Sequence, residues 1–84
     1  MYEVWLEASC KRDLRRLQKN DFERIISAIK SLAENPRPQG VRKISGTGRG
    51  WRIRVGAFRV IFEIDDERKS VFIMRVRHRK EVYK

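Results

Sequence analysis

The stretch Trp51-Arg52-Ile53-Arg54-Val55, Gly56-Ala57, Phe58-Arg59-Val60-Ile61-Phe62-Glu63-Ile64 leaves this chain the fewest choices. Successive side chains of a strand point to opposite faces. Trp51, Ile53 and Val55 therefore share one face, and Arg52 and Arg54 the other. Gly56-Ala57 is a two-residue break that suits a tight hairpin turn. In the second run Phe58, Val60, Phe62 and Ile64 face inward, with Arg59, Ile61 and Glu63 opposite. The pattern predicts a hairpin with one apolar face and one cationic face. Like charges on neighbouring strands destabilise a sheet, so a face that gathers Arg52, Arg54 and Arg59 points to an anionic ligand. A solvated basic face, with Glu63 pairing one arginine, explains the same charges without a ligand.

The rest of the chain supplies what the apolar face packs against. Residues 2–7 alternate, with Tyr2, Val4 and Leu6 on one side and Glu3, Trp5 and Glu7 on the other, which predicts a half-buried strand. Ser9 is positioned to cap a helix through about Gln18, with Leu14 and Leu17 facing inward. Asn20 and Glu23 have capping-box spacing. Phe22, Ile25, Ile26, Ile29, Leu32 and Ala33 then form one helical stripe, ended at Asn35-Pro36. Residues 36–50 read as a loop broken by Pro36, Pro38, Gly40, Gly46, Gly48 and Gly50. Asp65 to Lys69 is a second turn, and 71–77 the last strand. The expected fold is α+β: an N-terminal strand, a two-helix hairpin, then a three-stranded antiparallel meander, with both helices on one face of a four-stranded sheet. One domain spans 1–84, as a chain of 84 residues allows.

Charge narrows the function. Lysine and arginine number 21 against 11 acidic residues, a net +10. Residues 1–41 hold 8 basic and 6 acidic residues (+2), and residues 42–84 hold 13 and 5 (+8). Charge concentrated in the half that carries the arginine hairpin marks a binding face, for which nucleic acid is the commonest partner. The single cysteine, Cys10, cannot form an internal disulfide and reads as a small buried apolar residue. The amino terminus lacks a basic n-region and an apolar stretch, and Val71-Phe72-Ile73-Met74 is far too short to span a bilayer. A cytoplasmic protein without a membrane partner is expected.

Candidate chemistry converges on RNA. The tail adds Arg77, His78, Arg79 and Lys80, with Tyr83 as an aromatic. Arginines for phosphate and an aromatic for stacking are what single-stranded RNA recognition uses. Cleavage by 2′-oxygen attack needs a base, an acid and stabilisation of phosphorane charge. His78 is the sole histidine, so a two-histidine mechanism is excluded. Arginine is a poor proton acceptor but a good bidentate phosphate clamp. Catalysis must then lean on positioning and electrostatics, which makes sense if something else, such as the ribosome, holds the RNA in line. Gly46-Thr47-Gly48-Arg49-Gly50 precedes a strand rather than a helix and reads as a flexible turn. No Cys/His set has zinc spacing and no carboxylate set suggests magnesium, so neither a metal nor a cofactor is expected.

Residues 51–63, Asn35-Pro36-Arg37-Pro38 and the ending His78-Arg79-Lys80-Glu81-Val82-Tyr83 resemble the RelE/ParE toxin superfamily, on its RelE-like branch. The resemblance covers nearly the whole chain in the expected order of elements. It implies a RelE-like microbial ribonuclease-type fold and a toxin restrained by a cognate antitoxin, RelB-like, that wraps it with a helix and extended segments. It also implies metal-independent mRNA cleavage in the ribosomal A site. Carried over by position, Arg52 and Arg54 hold RNA phosphate, and Arg59 stabilises the transition state. Arg79 assists the leaving group, with Arg77 as its alternative, and Tyr83 stacks on or orients the substrate. Arg54, Arg59, Arg79 and Tyr83 are thus the expected catalytic set; Arg52, Arg54, Arg77, His78 and Lys80 are the expected phosphate contacts. RelE proper carries lysines at the paired strand positions, so arginines here keep the clamp and remove a candidate base. ParE-type members instead poison DNA gyrase, the alternative function. The toxin alone is expected to be a monomer and the toxin–antitoxin complex a hetero-oligomer.

Overall fold

The computed structural model describes residues 1–44, 46 and 48–82, with Glu81 and Val82 described by backbone alone. The elements are β1 (Glu3–Leu6), α1 (Ala8–Arg15), α2 (Lys19–Ser31), β2 (Arg42–Lys43), β3 (Gly50–Val55), β4 (Phe58–Asp65), β5 (Ser70–His78) and the short α3 (Arg79–Val82). This is the expected α+β order, with one correction: the sheet has five strands, ordered β1-β5-β4-β3-β2, because the stretch expected as a loop contributes β2. β1 pairs with β5 in parallel, and every other pair is antiparallel. No helix among the described residues is long and apolar enough to cross a membrane.

Pairing confirms the two faces of the hairpin. Trp51 lies opposite Phe62, Ile53 opposite Val60 and Val55 opposite Phe58. Val60 faces Val76, Phe62 faces Ile73 and Ile64 faces Val71 on the next strand. These residues close a core with Cys10 and Leu14 of α1, Ile25 and Ile29 of α2, and Leu32; Phe62, Leu32, Ile73, Val60, Val71 and Cys10 are fully buried. Phe22, expected on the apolar stripe, is instead 40% exposed at the start of α2. Gly56 takes φ +61° while Ala57 keeps a negative φ, the pattern of a type II′ turn.

Both expected helix caps are absent. α1 begins at Ala8 and α2 at Lys19, and neither has a side-chain cap. Ser9 serves a strand instead: its hydroxyl donates to the Met74 carbonyl at 2.8 Å. The reason lies in β5. A β-bulge interrupts its pairing with β4 between Ile61 and Phe62, leaving Met74 without an opposite residue. The Ile73 and Met74 carbonyls therefore point to the same edge, one accepting from the Glu7 N–H at 3.0 Å and the other from Ser9. β1 ends at Leu6, so beyond Ile73 this edge lacks a strand partner. Asp13, one turn after Ser9, accepts the Val76 N–H at 2.9 Å. Two side chains of α1 thus stand in for the strand that β1 does not continue.

Candidate nucleic-acid interface

The face away from the helices carries the arginines in two rows that run across the strands. Arg54 of β3 lies opposite Arg59 of β4, which lies opposite Arg77 of β5. One pleat further along, Arg42 of β2 lies opposite Arg52, Arg52 opposite Ile61, and Ile61 opposite Arg75. Directly opposed residues have Cα atoms about 4.5–5.5 Å apart, so the first row sets three guanidinium stems side by side. Glu63, the acidic residue of this face, forms no ion pair among the described residues. Glu63 therefore does not supply the arginine pairing that the sequence allowed.

The β3–β4 turn brings the tail to the same place. The Arg79 N–H donates to the Ala57 carbonyl at 2.8 Å, so α3 starts beside the turn. Arg54 Nε donates to the Gly56 carbonyl at 3.2 Å. A cavity of about 330 Å³ opens there, lined by Arg54, Gly56, Phe58, Arg59, Arg79 and Lys80. A second, of about 170 Å³, is lined by Gly40, Arg42, Arg52, Arg54 and Arg59. Arg54 and Arg59 border both. The structure thus gathers Arg52, Arg54, Arg59, Arg77, Arg79 and Lys80, which the sequence singled out.

His78 is not gathered with them. Period two turns it to the side opposite Arg77, where its ring meets Phe58 edge-on at 5.2 Å and 86°. Its Nδ1 accepts the Lys80 N–H at 3.2 Å. His78, expected as a phosphate contact, thus stands apart from the two arginine-lined cavities and borders instead a surface pocket with Arg16, Arg75 and Arg77. Tyr83 lies outside the described residues. Arg42 was missed because Pro and Gly around it signal a loop, and Val41-Arg42-Lys43-Ile44 lacks the period-two alternation that marks a strand.

Two other arginines are held by carboxylates away from these cavities. Arg75 reaches round the β5 edge to Asp13, Nε to Oδ2 at 2.8 Å and Nη2 to Oδ1 at 3.2 Å. Burial pushes the Asp13 carboxyl up, but the hydrogen bonds from Arg75 and the Val76 N–H outweigh it, leaving the group below the usual carboxylate range. At the far end of the sheet, Arg37 grips Asp66 through both Nη atoms at 3.1 and 2.9 Å, and the Tyr2 hydroxyl donates to Asp66 at 2.6 Å. These bonds hold the Asp66 carboxyl at about 2. Arg37 and Lys43 also flank the Trp51 ring, at 5.1 and 5.7 Å from its centroid. No group of three or more His, Cys, Asp or Glu side chains suited to a metal ion occurs among the described residues.

Comparison with known proteins agrees with this geometry. The family described as the ParE toxin of the type II toxin–antitoxin system parDE matches residues 4–83. Toxin RelG of Mycobacterium tuberculosis is 31% identical over 87 residues, covering 99% of this chain and 97% of its own. The archaeal RelE–RelB complex from Pyrococcus horikoshii contains a chain that is 28% identical with a TM-score of 0.83, covering 93% of this chain and 94% of that one. The isolated RelE toxin of E. coli, at 23% identity, shares the fold with a TM-score of 0.81 over 99% of this chain and 92% of its own. A family match over nearly the whole length, a close relative named as a toxin and the same architecture in RelE structures lead to one conclusion: the chain belongs to the RelE/ParE superfamily of type II toxin–antitoxin toxins, and is RelE-like.

Proposed function

We propose that this toxin is a ribosome-dependent endoribonuclease that cuts mRNA in the ribosomal A site and so inhibits translation. The observation that carries the reading is the Arg54–Arg59–Arg77 row sharing Arg54 and Arg59 with the cavity that Arg79 and Lys80 also line. In the cleavage step the 2′-hydroxyl loses its proton to water as its oxygen attacks phosphorus, the bond to the 5′-oxygen breaks and that oxygen takes a proton from water, so charge builds on the non-bridging oxygens on the way. Arg54 and Arg59 flank the place where that charge forms, and Arg52 extends the grip along β3. Arg79, at the cavity's far wall, neutralises the departing oxygen; Arg77, next to Arg59, is the alternative. Tyr83, carried by the resemblance, stacks on the base. Guanidiniums accept no proton, so the rate derives from alignment and from charge stabilisation fixed in advance. A ribosome that presents the RNA in line supplies the alignment.

An antitoxin partner follows from the same face. Some solved RelE relatives, including that of Pyrococcus horikoshii, are complexes with RelB, and an acidic RelB-like segment laid over Arg52, Arg54 and Arg59 would restrain the toxin. Such a complex weakens steeply with salt. The ParE description of the matching family supports a second reading, a DNA gyrase poison without nuclease activity. Primer extension on a defined mRNA in a cell-free translation reaction separates the two. New stops inside translated codons, absent without ribosomes and lost with Arg59→Ala, support the nuclease. Intact mRNA together with inhibited supercoiling by gyrase would overturn it.

A further inference from the structure

We propose that Arg42 is an additional phosphate contact of the arginine face, and that with Arg52 it holds the phosphate one nucleotide away from the one gripped by Arg54 and Arg59. The proposal rests on reading that face as an RNA-binding surface. Arg52 and Arg54 are two residues apart on β3, about 6.6–6.8 Å, which is the scale of one nucleotide step in an extended single strand. Each belongs to its own cross-strand row, and Arg42 is the residue that pairs with Arg52.

The fold goes to some length to place it there. β2 is two residues long and sits on the sheet edge, where two opposed arginines disfavour pairing. Its anchors lie on either side of Arg42. Val41 packs on the core, and its N–H closes a turn onto the Pro38 carbonyl at 3.1 Å. Lys43 turns to the other face, over Trp51, and the Ile44 N–H donates to the Gly50 carbonyl at 2.9 Å. Gly40, at φ +91°, starts this segment and has open space where a side chain would be. The Arg42 side chain is exposed and has no hydrogen-bond or ion-pair partner among the described residues. The cavity of about 170 Å³ beside it is walled by four arginines and Gly40, with no carboxylate. A pocket of this kind suits one phosphate group and accepts it through backbone and guanidinium donors.

The experiment measures anisotropy of a short fluorescent 2′-O-methyl oligoribonucleotide, which cannot be cleaved, across a salt series. The proteins compared are wild type, Arg42→Ala, Arg42→Lys, Arg59→Ala and Lys30→Ala, the last removing one exposed charge from α2. Each phosphate contact on a single strand contributes about 0.7 to the slope of log K against log salt, or about fivefold in affinity at 0.1 M salt. Arg42→Ala should lose that slope and that affinity, Arg42→Lys should keep the slope, and Lys30→Ala should match wild type. Arg42→Ala indistinguishable from Lys30→Ala, with Arg59→Ala weakened, would overturn the proposal and leave the RNA reading intact. Arg42→Ala and Arg59→Ala both binding as wild type would overturn both.

Discussion

Replacing Asp13 tests whether α1 substitutes for a missing strand. The Asp13 carboxylate is one-tenth exposed and takes three hydrogen bonds, two from Arg75 and one from the Val76 N–H. Asp13→Ala leaves that backbone N–H unsatisfied at a covered sheet edge, which costs about 1–3 kcal/mol. Arg75 is about two-fifths exposed and can turn to water, so the lost ion pair adds little. The expected loss is about 2–3 kcal/mol, or roughly 10–20 °C in Tm for a domain of this size. Asp13→Asn retains an acceptor for Val76 and should lose about half as much. The sign of the pH dependence is set by the lowered carboxyl. Its contribution is complete above the unfolded value of 3.8 and disappears as pH falls through the lower folded value. Thermal unfolding followed by circular dichroism, from pH 7 down to pH 2, should show the wild-type advantage over Asp13→Ala constant near neutrality and shrinking below about pH 4. A loss under about 0.5 kcal/mol at pH 7, or a gap that does not shrink at all below about pH 4, would refute the strand-substitute account.

Two further expectations concern the turn and the thiol. Gly56→Ala should destabilise by about 1–2 kcal/mol in urea unfolding, because its φ of +61° disfavours a side chain. The added Cβ would also meet the Arg24 guanidinium at 3.1 Å, but that is the free end of a flexible chain; recovery of most of the loss in the Gly56→Ala/Arg24→Ala double variant would show that the crowding, not the backbone, was responsible. Cys10 is fully buried, and burial followed by the nearby Asp13 charge pushes its thiol up to about 11. Native protein at pH 8 should therefore resist iodoacetamide and react only after unfolding in guanidinium chloride; equal rates in both states would contradict the burial.

The sequence alone determined what is local. Period two around Gly56-Ala57 sorted the hairpin into an apolar and an arginine face, because side-chain direction within a strand depends on nothing further away than the pleat. The helical stripe through Ile25, Ile29 and Leu32 was legible for the same reason. The resemblance in residues 51–63 and in the tail named the arginines that the structure then gathers. Only the tertiary structure decided how the pieces meet. The parallel pairing of β1 with β5 joins residues 67 apart, and no local signal encodes it. Ser9 reads as a helix cap and Asp13 carries no local signal of a role, yet each satisfies a backbone group of β5 more than 60 residues away. His78 reads as one of five consecutive polar tail residues until β5 is seen to run through it and turn it toward Phe58. Arg42 belongs to the arginine face because β3 recruits a two-residue partner from a stretch rich in turn signals. Face is a property of one strand; row, register and edge are properties of several, and they exist only once the chain has closed on itself.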